Sequence, residues 1–92
     1  MERKYAEFAA TKACELLAID SPSGYTRKAA TWVKEAFEAL GFAAKITTKG
    51  GVLADLGGAD KDDALFLQAH TDTLGAMVAE IKANGRLKLT PL

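Results

Sequence analysis

A chain of 92 residues with 12 basic and 12 acidic side chains carries no formal net charge, and 49% of its residues are apolar and 26% charged. That size suits one small domain with a thin core, burying roughly 60–65% of the surface its unfolded form exposes. The even charge argues against a nucleic-acid or anionic-membrane partner, which would favour a basic excess, and apolar runs of only about four residues exclude a transmembrane helix.

Taken in chain order, residues 2–19 read as a helix. Tyr5, Phe8, Ala9, Ala13 and Leu16 recur at helical spacing, and the interior has no Gly or Pro. The charged start Glu2-Arg3-Lys4 is wrong for a signal peptide, and Cys14 is alone, so no internal disulfide forms; a cytoplasmic location is expected. Asp20-Ser21-Pro22-Ser23-Gly24 is a cluster of breakers and predicts a loop. A second helix should start near Thr26 as N-cap, with an apolar stripe of Ala29, Trp32, Val33, Ala36, Phe37 and Leu40. Gly41 stands where a helix end takes a left-handed residue.

After Gly41 the period changes. Phe42 to Thr48 and Val52 to Leu56 read as strands around a Lys49-Gly50-Gly51 turn. Residues 57–63 form a polar loop whose acidic run reads as a solvated tip, since it lacks cation-ligand spacing. Ala64 to Ala69 reads as a third strand, apolar nearly throughout, hence central and covered on both faces. Met77 to Lys82 and Arg86 to Thr90 read as a hairpin joined by the two residues Asn84-Gly85. The expected architecture is α/β, with two helices covering a mixed sheet.

His70 is the only histidine, and Asp72 follows two residues later. In an extended segment such a pair projects to one side, at the carboxyl end of a strand, where open α/β sheets favour ligands. A neutral imidazole is a common metal ligand, and a neighbouring carboxylate orients it. A histidine simply hydrogen-bonded to its neighbour explains the spacing equally well. Cys14 as a nucleophile paired with His70 is weaker than Cys14 as a small apolar side chain buried in the first helix. Gly50-Gly51 and Gly57-Gly58 are turn glycines without phosphate-loop spacing, and Glu35 and Glu38 lie on the solvated face of the second helix.

Three features resemble the metal-dependent aminopeptidases, the glutamyl and leucyl enzymes that build large tetrahedral assemblies. They are Ser21-Pro22-Ser23-Gly24-Tyr25 after a first helix, Leu40-Gly41-Phe42 closing a second, and Gly50-Gly51-Val52. The stretch Ala69-His70-Thr71-Asp72-Thr73-Leu74-Gly75-Ala76-Met77-Val78 is similar to that family's extended Ala-His-x-Asp signature. The resemblance implies that His70 is a ligand of one metal in a centre of two divalent ions, zinc or cobalt. It implies that Asp72 is the catalytic-site carboxylate that orients His70. It also implies peptide substrates, a homo-oligomer, and an incomplete catalytic domain over residues 1–92. The remaining ligands and an inserted oligomerisation domain would then lie beyond Leu92, and the 92-residue chain alone would be inactive. Thr73 stands where that family usually has Glu and leans towards the related dipeptidases and carboxypeptidases, whereas Gly75 and Met77-Val78 lean back. A non-catalytic binding or assembly module, with His70 purely structural, is the reading from another class.

Overall fold

Residues without Gly or Pro open the chain, and in the computed structural model, which describes residues 2–92, they form helix α1 (Arg3–Leu17). None of its side chains is buried. Its ion pairs Arg3–Glu7 (2.9 Å) and Lys12–Glu15 (3.2 Å) are solvated and worth a few tenths of a kcal/mol each, about 0.2–0.5. It meets the second helix through Lys12, whose ammonium lies 5.8 Å from the Phe8 ring centre and 5.7 Å from that of Trp32.

Helix α2 (Arg27–Ala39) supplies the core: Ala29 is 0% and Ala30 4% exposed. Trp32, Val33, Ala36 and Phe37 are half-buried, while Leu40 and the outward Glu35 and Glu38 are exposed. Thr26 is the N-cap residue, but its side chain makes no capping hydrogen bond. The other end closes as expected. Gly41 is left-handed (φ +93°), its N–H donates to Glu38 O (3.0 Å), and the Phe42 N–H donates to Phe37 O (3.1 Å), the paired bonds of a Schellman end.

Strands β1 (Ala44–Ile46) and β2 (Val52–Ala54) pair antiparallel, Ala44 opposite Ala54 and Ile46 opposite Val52. The alternation turns Ala44, Ile46, Val52 and Ala54 inward and Lys45 and Leu53 outward, as a one-sided ladder against α2 requires. Strands β3 (Ala76–Ile81) and β4 (Leu87–Pro91) form a second antiparallel ladder, with a bulge at Ala79 between the Val78–Leu89 and Glu80–Lys88 pairs. Ala79 puts an extra residue in β3 and leaves it without a partner.

The α/β class with two helices holds, but the sheet differs from expectation: two separate antiparallel ladders replace one mixed sheet. Residues 64–69 form no strand, and Leu65, Phe66 and Leu67 are 84%, 73% and 78% exposed. Their propensity is sound, but a central strand needs neighbours to take its N–H and C=O groups, and no strand lies beside them among the described residues. The β3–β4 loop also differs. Lys82 N–H donates to Arg86 O (2.8 Å) and Gly85 N–H to Lys82 O (3.0 Å), and Gly85 alone in the loop has positive φ (+82°). Asn84 does not adopt the left-handed conformation that a two-residue type I′ turn demands, so the loop has three residues, a type I turn followed by a left-handed glycine. Asn84 instead accepts the Arg86 N–H at its Oδ1 (3.0 Å). The β1–β2 loop repeats the pattern: Gly50 N–H donates to Thr47 O (2.9 Å) and Thr47 N–H to Gly51 O (2.7 Å).

The helices, β1 and β2 touch one another, whereas β3 and β4 touch only each other. The two parts are joined where the loop after α1 crosses the segment before β3. Pro22 and Thr73 form a parallel bridge, with the Thr73 N–H donating to Ser21 O at 2.7 Å. Gly75 lies against Pro22 so closely that any Cβ at 75 would collide with the proline Cβ. The whole presents 7984 Å² of surface, against about 5,100 Å² for a compact monomer of 9.7 kDa. Its radius of gyration is 17.7 Å, against about 12 Å for a compact 92-residue domain.

Gly75→Ala is expected to weaken this crossing by about 1–3 kcal/mol, the usual cost of forcing atoms into a filled space. Amide exchange at Thr73 checks it: the variant should exchange faster there, with the α2 amides unchanged.

Candidate metal-ligand site

His70 and Asp72 lie in the irregular segment between the polar loop and β3, not at the end of a central strand. They nevertheless face each other, as residues two positions apart in the chain. The His70 Nδ1 is 3.1 Å from the Asp72 main-chain oxygen and 3.1 Å from its carboxylate Oδ1. Both partners can only accept, so Nδ1 must carry the hydrogen and share it between them. The neutral ring then has its lone pair on Nε2, directed away from Asp72. The ring is 85% and the Asp72 side chain 49% exposed, so water competes with these bonds and each is modest.

A third side chain joins the pair. The Ser23 hydroxyl donates to Asp72 Oδ2 at 3.4 Å. Asp72 therefore receives one donor on each carboxylate oxygen, from residues two positions and 49 positions away. The sequence marks Ser23 only as part of a breaker loop and of the Ser21–Tyr25 stretch that resembles the family, with no site role. An open cleft bordered by Leu16, Leu17, Leu74 and Leu92 adjoins the three.

One ring nitrogen with an orienting carboxylate fits a borderline metal such as zinc. Among the described residues, however, no three His, Cys, Asp or Glu side chains cluster, so the pair fits one ligand and its support, not a closed site. Cys14 is no part of it. It is exposed, contrary to the expected buried position, because α1 buries none of its residues. In the acidic loop Asp60 Oδ1 accepts the Asp62 N–H (2.9 Å), and just before it Asp55 Oδ1 accepts the Gly57 N–H (2.8 Å). No helix among the described residues is long and apolar enough to cross a membrane.

Zinc titrated into the chain is expected to perturb the His70 ring resonances first, and His70→Ala to weaken binding about tenfold or more. Indistinguishable titrations of the two proteins would show that the ring takes no metal.

Comparison with known proteins gives two findings. The model of the family described as M42 glutamyl aminopeptidase matches residues 50–92, the segment holding His70, Asp72 and the β3–β4 hairpin. A Bacillus subtilis (strain 168) protein named "Putative aminopeptidase YhfE" is 43% identical over 75 residues, which is 82% of this chain and 22% of that relative. The chain thus spans about a fifth of the length of the curated relative it matches. With the signature residues inside the matched segment, the two matches support kinship with the M42 glutamyl aminopeptidases.

Proposed function

We propose that the chain serves as part of the catalytic domain of a metal-dependent aminopeptidase, which removes amino-terminal residues from peptides. The observation that supports this best is the His70–Asp72 pair, with its free Nε2, inside the segment that the family model matches. In this reading His70 holds one of two divalent ions, zinc or cobalt. Asp72 favours the Nδ1–H tautomer, which leaves the Nε2 lone pair for the metal. The bound metal supplies polarisation of the scissile carbonyl and an activated water. Asp72 is thereby a positioning carboxylate, contributing through His70.

The surface supports a role within a larger catalytic domain. Leu65, Phe66, Leu67 and Leu74 are solvent-facing, which a self-sufficient domain avoids. The same apolar surface favours a homo-oligomer. Peptides are the proposed substrates and the cytoplasm the proposed location, with neither nucleic acid nor membrane as a partner. A second reading, a dipeptidase or carboxypeptidase of the same clan, is favoured by Thr73 alone.

The whole protein, supplied with zinc or cobalt, is expected to cleave peptides with a free amino terminus at least a hundredfold faster than their N-acetylated forms. That is the order of discrimination produced when a buried recognition group loses its partner. Chelation should abolish turnover, and the 92-residue chain alone should show none. Equal cleavage of the blocked peptides would favour the second reading, and metal-independent cleavage would end both.

A further inference from the structure

Ser23 stands out because three independent restraints bring it to Asp72. Its own turn is closed by the Tyr25 N–H donating to Pro22 O at 2.9 Å, with Gly24 left-handed at φ +85°. That is the pattern of a type II turn, with Ser23 at its first central position. The preceding residues are pinned by the Thr73 N–H on Ser21 O and by Gly75 packed against Pro22. The hydroxyl so placed meets Asp72 Oδ2 (3.4 Å), while Oδ1 meets His70 Nδ1 (3.1 Å).

A carboxylate turns about its last torsion with little resistance, because that torsion is broad and nearly two-fold. One donor on Oδ1 therefore does not fix its plane, least of all in a half-exposed side chain that water can also reach. A second donor on Oδ2, carried by a different part of the chain, does. We propose that Ser23 is a positioning residue. Its hydroxyl sets the plane of the Asp72 carboxylate, and through it the His70 ring that keeps Nε2 facing outward. This rests on the reading of His70 as a metal ligand, and it adds the loop after α1 to the machinery of that ligand.

The test is nitrogen NMR of the His70 ring in the metal-free chain at alkaline pH, where the imidazole is neutral. The Thr73 amide serves as a report on the crossing. Ser23→Ala is expected to lower the ratio of Nδ1–H to Nε2–H tautomer about two- to threefold, the effect of losing one weak hydrogen bond. Ser23→Thr, which keeps the hydroxyl, should restore it, and the Thr73 amide should exchange at the wild-type rate in both. An unchanged tautomer ratio in Ser23→Ala would overturn the proposal. So would a Thr variant that behaves like Ala, or a tautomer change that appears only together with loss of Thr73 protection, since the backbone crossing would then be the cause. Peptidase activity does not enter the measurement, so this proposal and the aminopeptidase reading fail separately.

Discussion

The hydrogen bond from the Thr73 N–H to Ser21 O is the contact on which the rest of the arrangement depends. It ties the part built on α2 to the part built on the β3–β4 hairpin, which otherwise touch nowhere among the secondary-structure elements. Gly75 makes the contact possible by leaving room for Pro22. The crossing is not free of cost. The Ser21 hydroxyl is buried with no hydrogen-bond partner, a penalty of about 1–3 kcal/mol that is comparable with what the few bonds there return. The seat of the candidate site is thus close to balance. Small changes in it, a methyl group at Gly75 or a lost donor at Ser23, act on His70 without touching it.

The imbalance between apolar content and burial runs through the whole chain. About half the residues are apolar, yet the buried ones among the described residues are Ala29, Ala30 and Ser21. The cause is geometric. One helix face and two three-residue strands enclose little volume, while the hairpin and α1 each turn a side to solvent. The Leu65-Phe66-Leu67 run is the clearest instance. It has the composition of an inner strand and the exposure of a loop.

That contrast explains what could be read in the residues and what could not. Local signals carried through: the α2 stripe with its solvated Glu35 and Glu38, the left-handed Gly41, the alternating β1 and β2, and the glycine-closed hairpins. Each depends on residues within one turn or one ladder. The pairing of His70 with Asp72 was legible for the same reason, as a contact across two positions. Most of the differences needed distant partners. Residues 64–69 have side chains that suit a strand, but pairing is set by what lies alongside. Cys14 is of a type often buried, but burial depends on what covers its helix, and α1 buries none of its residues. The Ser23 contact was missed because nothing in the spacing of a loop tells which segment 49 residues on will lie across it. At Asn84-Gly85 the local signal itself was misread: the pair fits two turn types, and only the backbone at Asn84 separates them.

The crossing also sets the order in which the site gains and loses its shape. Each hairpin closes over a loop of a few residues, while the contact of Ser21 with Thr73 closes one of roughly fifty. Closing the longer loop costs about 2 kcal/mol more in chain entropy, and little burial at the crossing offsets it. The hairpins and helices can therefore form while the crossing is still open, and the crossing is the first contact to yield when the molecule fluctuates. The His70–Asp72 contact survives such an opening, because its two residues are neighbours in the chain. The contact of Ser23 with Asp72 does not, so each opening leaves the Asp72 carboxylate with the His70 ring as its one side-chain partner.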